Sequence, residues 1–555
     1  MSMIVDESIR LVNANETLAE RRAAANWAAN LRALKITQPA LLETSQELPQ
    51  NLSWIFGRDG YLTARQDDRW WNGCSLPLRA ARLMFAKMEV TGGVACFLNP
   101  QHAAQIRVAL DRLEASKAII VLLPDHFWLR VALGCDDFSP EIASHRLWFV
   151  TGANWEAQLR QLLESNPGLA TPMQFIRPIV ADSSVQDGLV APAQAIFNAE
   201  NVRRTQQISV LREHKSARKF NRIGIIAPSH FRLWEDAGAV LGATMSSSAE
   251  GDTSISLLDT DDPLRASMLA LAELGAECDV IVTANIGRSD LPPVLSETTP
   301  WITWVTNGRI PAAPARDTAD ALLLADPAMR QAALDAGWSS DRIGTASWPS
   351  LSIKNEIKVP VTFISHLLML CDTRPLDPPE KLREYSSHSL LWEAISDEIR
   401  RDPFVVSDVR QYLDDRRRGM QIDDGNFNAS LFINHLILPA YAQSICRILL
   451  EAGLTVKCWG RGWNELEEFR EFTGGPVVSR QQMLDLIEHS TALLHPWPAG
   501  VHPIDSAPRP VLRAKGGREK FVSTARLALA GKCPQATSVA DSLSLAQVLK
   551  IAGLR

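Results

Sequence analysis

Short apolar runs recur along the chain between stretches whose apolar residues return every three or four positions. This is the pattern of strands buried on both faces alternating with amphipathic helices. Runs at 94–98, 118–123 and 147–150 read as strands, and Ala103, Ile106, Leu110 and Leu113 fall at helical spacing within 101–115. An alanine-rich helical arm is expected before them, ending near Leu48, and a charged helical connector after them at 193–219. A second series predicts strands at 223–227, 254–258, 280–283, 301–305 and 321–324, with helices at 231–240, 263–276 and 327–336. A third begins with a strand at 359–365, then a helical, charge-rich insertion at 378–419 and a helix at 431–451. Strands at 454–459, 476–479 and 492–495 and a helix at 481–489 complete it.

Strands alternating with helices define an α/β protein with parallel sheets. The expected division is 1–215, an N-terminal α/β domain with helical arm and connector; 216–350, a Rossmann-like domain; and 351–555, a second Rossmann-like domain with a helical insertion. Open α/β sheets take ligands outside the carboxyl ends of their strands, so tandem domains of this kind suggest a cleft between them.

Composition narrows the function classes. Lys and Arg total 57 against 63 Asp and Glu, a net charge of −6, without the basic excess of a general nucleic-acid binder. Eight cysteines include no C-x-x-C pair, which removes the usual signature of zinc ribbons and thioredoxin-type sites. Asp6, Glu7, Arg10, Glu16, Glu20 and Arg21 stand where a signal peptide needs an apolar core. The best apolar run, 118–123, falls far short of the ~20 residues of a membrane span. The expectation is a soluble, cytoplasmic protein.

Four places carry candidate chemistry. Asp259-Thr260-Asp261-Asp262 follows a predicted strand; an Asp-x-Asp there can hold a divalent metal on a diphosphate, but Asp262 also suits a helix cap ahead of Pro263. Cys458-Trp459-Gly460-Arg461-Gly462-Trp463 leaves a strand. Its glycines permit close backbone approach and Arg461 can meet a phosphate, or the segment is a plain strand-to-loop turn. Glu465 occupies the third-glycine position, so this is no dinucleotide fingerprint. His495-Pro496-Trp497-Pro498-Ala499-Gly500-Val501-His502-Pro503 is a rigid loop after a strand, followed by Asp505 and Arg509. Arg513, Lys515, Arg518 and Lys520 add charge for a diphosphate, unless they are simply a solvated face. His230 sits at the first strand-to-helix crossing of the middle domain, as a general base or as a surface histidine beside a Ser229 cap. Trp70-Trp71-Asn72-Gly73-Cys74, Trp301 and Trp304 add aromatic surface for sugar rings or for the core.

From Arg222 onward the order of elements resembles a GT-B glycosyltransferase, of the spore-maturation (CgeB-type) and family-1-like branch. The resemblance rests on Pro300-Trp301-Ile302-Thr303-Trp304-Val305-Thr306, on Ala321-Leu322-Leu323-Leu324-Ala325-Asp326, on Ser347-Trp348-Pro349, on Trp459-Gly460-Arg461-Gly462-Trp463 and on Leu493 to Pro510. It implies transfer of a glycosyl group from a nucleotide-sugar to an acceptor it does not name. No metal and no cofactor beyond the donor are implied. It places Gly460, Arg461, His495, His502, Asp505 and Arg509 at the donor. Two positions depart from it. Arg509-Pro510-Val511-Leu512 stands where an Arg-x-x-Glu is expected, and Lys532-Cys533-Pro534 replaces a glycine-proline-valine strand. The rival reading is a non-catalytic carbohydrate- or nucleotide-binding protein on a degenerate GT-B fold. A metal-dependent transferase centred on Asp259 and Asp261 is a third.

Overall fold

The computed structural model describes residues 2–42, 48–86, 93–113, 117–178, 183–213, 222–228, 233, 241, 254–306, 310–314, 318–346, 366–379, 382, 386–422, 427–498, 502–507 and 509–532. His230, the expected helix at 231–240 and the expected strand at 359–365 lie outside them, as do Ser347-Trp348-Pro349 and Cys533-Pro534. The chain forms two compact units: Met1–Lys219 with Leu258–Asp279 and Pro292–Thr299, and Phe220–Leu257 with Val280–Leu291 and Pro300–Arg555.

Unit 1 opens with the helix Ser2–Thr37. An antiparallel sheet follows, made of β1 (Leu52–Phe56), β2 (Leu62–Gln66) and β3 (Arg69–Trp70). Its parallel sheet is β4 (Ala95–Leu98), β5 (Ile119–Leu123), β6 (Leu147–Thr151) and β7 (Gln174–Ile176), in the order β6-β5-β4-β7. Alternation along these strands sorts side chains into two cores, as a period of two requires. Phe97, Ile119, Val121, Leu147 and Phe149 face one core, and Cys96, Leu98, Ile120, Leu122, Trp148 and Val150 face the other. Phe197, on the connector helix Ser184–Glu213, belongs to the second.

Two sheets account for the remaining strands. The first comprises β8 (Arg222–Ala227), β9 (Ser254–Asp259), β10 (Val280–Ala284), β11 (Trp301–Val305), β12 (Ala321–Leu324) and β13 (Ile343–Thr345). Their order is β13-β12-β11-β10-β8-β9, and β8 and β10 to β13 run parallel. Trp301 and Trp304 are buried on opposite faces of β11, so they are core residues. The second sheet comprises β14 (Leu367–Leu370), β15 (Val456–Trp459), β16 (Thr473–Gly475), β17 (Ala492–Leu494) and β18 (Val511–Leu512). All are parallel, in the order β16-β15-β14-β17-β18.

Three expected elements are corrected. The strand expected at 476–479 is β16, three residues earlier, because Gly475 turns with φ 93° and Pro476 has no N–H for a ladder. The helix expected at 263–276 is a 3₁₀ turn, Pro263–Arg265, followed by the helix Met268–Glu277, because the Ser267 hydroxyl accepts from the Ala270 amide and starts the helix anew. The helix expected at 431–451 is interrupted by a π-turn, Ile433–Ile437. Pro439 has no N–H to give the His435 carbonyl four residues back, and the turn before it widens.

Candidate functional site

In the second sheet of unit 2, β14 comes first in sequence, β15 and β16 lie to one side and β17 and β18 to the other. Strand order therefore reverses between β14 and β17, and the carboxyl edge there is where such a sheet opens for a ligand. Residues leaving the strands at this edge are Cys371 and Asp372 after β14, Gly460 and Arg461 after β15, His495 after β17 and Arg513 after β18.

The glycines around Arg461 serve the chain's own packing. Gly460 has φ 139°, and a Cβ there would stand 2.2 Å from the Cys371 carbonyl oxygen; at Gly462, φ 84°, it would stand 2.0 Å from the Thr373 oxygen. The two loops are stitched by Thr373 N to Arg461 O at 2.9 Å and by Trp463 Nε1 to Cys371 O at 2.7 Å. Arg461 donates its amide and its Nε to the Asp372 carboxylate, each at 2.8 Å, and its side chain remains 63% exposed. Next to it, Arg374 Nη1 lies 2.5 Å from His435 Nδ1. A guanidinium only donates, so that nitrogen accepts. Burial, then the Arg374 charge, lower the His435 pKa and keep the ring neutral. Gln443 holds the same loop from behind, donating to Thr373 Oγ1 at 2.9 Å and to the Arg374 carbonyl at 2.8 Å.

On the other side of the reversal, His495, His502 and Asp505 come together. The Asp505 carboxylate accepts from the His502 amide at 2.9 Å and from Arg513 Nη2 at 2.6 Å, and stands 3.5 Å from His495 Nε2. Burial raises its pKa, but the nearby His495 ring, the hydrogen bond from the His502 amide and the Arg513 charge outweigh burial and hold it at about 2. The Ile504 amide donates to His502 Nδ1 at 3.2 Å, which places the ring proton on Nε2. Burial, then the His495 charge, push the His502 pKa well down. After β18 the chain runs through Lys515 and two left-handed glycines, Gly516 at φ 78° and Gly517 at φ 84°, into the helix Arg518–Leu529.

Arg509 is the correction. It precedes β18 rather than leaving it, so it stands at the amino edge, and its guanidinium donates to the Glu488 carbonyl at the end of the helix Arg480–Glu488. It does not converge with Arg461; Arg513 is the β18 residue at the carboxyl edge. Sequence reasoning also passed over Arg374 and His435, although the π-turn beside Pro439 was within reach of a sequence signal. Asp262 is the cap it was expected to be, accepting from the Leu264 amide at 2.9 Å, while Asp259 accepts from the Asp261 amide at 2.9 Å. Among the described residues no three His, Cys, Asp or Glu side chains are grouped to hold a metal, and no helix is long and apolar enough to cross a membrane.

No protein-family model matches the sequence, and no curated protein does. Among solved structures, the chain is similar to the MAf glycosyltransferase from Magnetospirillum magneticum AMB-1, at 12% identity and a TM-score of 0.25. The match covers 51% of this chain and 54% of that one, so the chain spans about half the length of the protein it matches.

Proposed function

We propose that the chain is a glycosyltransferase-like protein of GT-B type. It binds a nucleotide-sugar with the diphosphate at the carboxyl edge between β14 and β17 and passes the sugar to an acceptor. The observation that carries this is the row of cations along the carboxyl edge of one sheet, on both sides of its strand-order reversal: Arg374 and Arg461 after β14 and β15, Arg513 and Lys515 after β18, with the Gly516-Gly517 turn leading into a twelve-residue helix. Helix-start amides and guanidinium groups are what a diphosphate leaving group needs, and preorganised positive charge stabilises it as the glycosidic bond breaks. With this much side-chain charge the donor needs no metal. A further support is Leu233, which follows β8 and is buried in the apolar cluster of Leu368, Leu370, Ile487 and Leu493 on the second sheet. The rival, a non-catalytic nucleotide- or carbohydrate-binding protein, draws on a different fact. His495 and His502 are each 1% exposed and so are closed to an acceptor, and Arg461 and Arg513 already face carboxylates.

Calorimetric titration with a panel of nucleoside diphosphates and nucleotide-sugars is the test. Arg374→Ala and Lys515→Ala should each weaken binding roughly 10- to 100-fold, Arg509→Ala should leave it unchanged, and a chelator should have no effect. Wild-type affinity in the first two variants, or loss of binding that Mg²⁺ or Mn²⁺ restores, would overturn the site. Release of free nucleoside diphosphate on adding acceptors separates transferase from binder.

A further inference from the structure

Unit 1 has a carboxyl edge of its own. In the order β6-β5-β4-β7 the reversal falls between β4 and β7, and the residues leaving β4 are Asn99 to His102. A cavity of about 10 Å³ lies beside His102, between the helix His126–Cys135 and the segment around β2, lined by Tyr61, Thr63, Trp71, His102, Trp128 and apolar neighbours. Three of its lining side chains carry a buried ring nitrogen with no hydrogen-bond partner: Trp71 Nε1, His102 Nδ1 and Trp128 Nε1. His102 and Trp128 are 7% and 6% exposed. His102 precedes the helix Ala103–Arg112 but does not cap it with its side chain. Buried polar atoms are almost always satisfied, so three orphans around one cavity mark a missing partner. About 10–15 Å³ is the room one oxygen atom with its hydrogens needs.

The chemistry of the three nitrogens selects that partner. An indole N–H only donates, so the guest must accept twice. Burial pulls the His102 pKa down to about 4, with Asp59 opposing, so near neutral pH its ring is uncharged and can accept. A hydroxyl oxygen accepts two hydrogen bonds and donates one, which matches the set. A buried carboxylate would need a cation in the cavity, and none lines it.

Trp71 also lines an open cleft of about 510 Å³, together with Gln66, Asp67, Arg69, Trp70 and Asn72. That volume is in the range of small-ligand sites. Asn72 Nδ2 donates to the Gln101 carbonyl at 2.6 Å, tying the cleft to the chain segment that carries His102. The Arg65 guanidinium sits 4.4 Å from the Trp70 ring centroid and braces it. One Asp and one Arg leave the cleft without net charge, while two indole rings offer flat surface for the C–H face of a ring. Planar amide, carboxylate and guanidinium groups can pair with adjacent hydroxyls.

We propose that unit 1 binds a neutral saccharide, with Trp70 and Trp71 as the wall of the cleft and one sugar hydroxyl held by Trp71, His102 and Trp128. This goes beyond the donor reading and does not depend on it. Water offers the same O–H chemistry, and the experiment separates the two sources. The full-length protein is titrated with neutral mono- and disaccharides, followed by tryptophan fluorescence and saturation-transfer NMR. At least one sugar should bind saturably. Trp71→Phe, which keeps an aromatic ring but removes the N–H together with the pyrrole half of the indole, should weaken it roughly 5- to 10-fold, as should His102→Phe. Trp70→Ala, at a half-buried position of β3, tests the wall and should weaken binding as well, with circular dichroism to check folding. Arg509→Ala, which stands in neither site, should leave sugar binding intact. No saturable binding up to the millimolar range, or binding indifferent to both Trp71→Phe and Trp70→Ala, overturns the proposal. So does a structure at saturating sugar with only water in the cavity and an empty cleft.

Discussion

Asp505 is held ionised by its neighbours, and its surroundings make it a pH-dependent part of the fold. Its carboxyl falls from the ordinary 3.8 to about 2 in the native state. A depressed carboxyl stabilises the folded chain above the unfolded pKa, and that stability disappears as pH falls through the native one. The contribution is about 2 kcal/mol and should fade between about pH 4 and pH 2. His502 acts in the same direction at milder acidity. Buried and neutral, it gains no proton where the unfolded imidazole already has one, so stability declines from its ordinary pKa of 6.5 downward. Urea titrations of the wild type and Asp505→Asn across this range should give a gap of about 2 kcal/mol near neutrality that closes toward pH 2. A gap that is flat with pH would mean the Asp505 charge is not what the cluster uses. The grouping of His495, His502 and Asp505 was legible because all three follow one strand within a proline-stiffened loop. Arg509 was not legible: its edge depends on where β18 starts, and a two-residue strand leaves no periodicity to read.

Elements were legible where burial on both faces gives continuous apolar runs, as in β5, β6, β11 and β12. The small antiparallel sheet escaped notice because β2 and β3 mix apolar residues with Arg65, Gln66 and Arg69 and carry no clean alternation. Turns that look alike in sequence also divide by what surrounds them. Gly460 needs both its left-handed φ and its missing side chain, because the Cys371 carbonyl occupies the space of a Cβ. Gly188, in the exposed first turns of the helix Ser184–Glu213, has nothing within 4 Å of a built Cβ and no positive φ. Gly460→Ala should therefore cost about 2–4 kcal/mol, combining backbone strain with a steric clash. Gly188→Ala should instead stabilise by about 0.5–1 kcal/mol through helix propensity. Thermal and urea melts of the two single variants decide this. Equal effects, or a stabilised Gly460→Ala, would show that the loop after β14 gives way and that the two carboxyl-edge turns are not rigidly joined.

At the scale of the whole molecule, alternation of strands and helices was enough to read parallel α/β sheets, but it says nothing about which helix covers which sheet. Unit 1 takes in Leu258–Asp279 and Pro292–Thr299, segments that lie beyond β8 in sequence. The helix Met268–Glu277 packs on Ser184–Glu213, with Leu269, Leu271 and Leu274 buried. Ser267 donates its amide to the Gly168 carbonyl and its hydroxyl to the Pro167 carbonyl, both at 2.9 Å. Gly168 has no room for a Cβ against the Leu264 carbonyl, so the two segments touch backbone to backbone. A fragment ending at Lys219 keeps every strand of the β4–β7 sheet yet loses this cover. Each buried leucine is worth about 1.5–3 kcal/mol, so the fragment should lose several kcal/mol and melt roughly 10 °C or more below the intact chain. Hydrogen exchange localises the effect: amides around Ile196–Arg204 should be protected in the full chain and exchange much faster in the fragment, which should also bind an apolar dye. A fragment that melts cooperatively at the full-chain temperature, with those amides equally protected, would mean that residues 1–219 form a complete domain and that the later segments only rest on it.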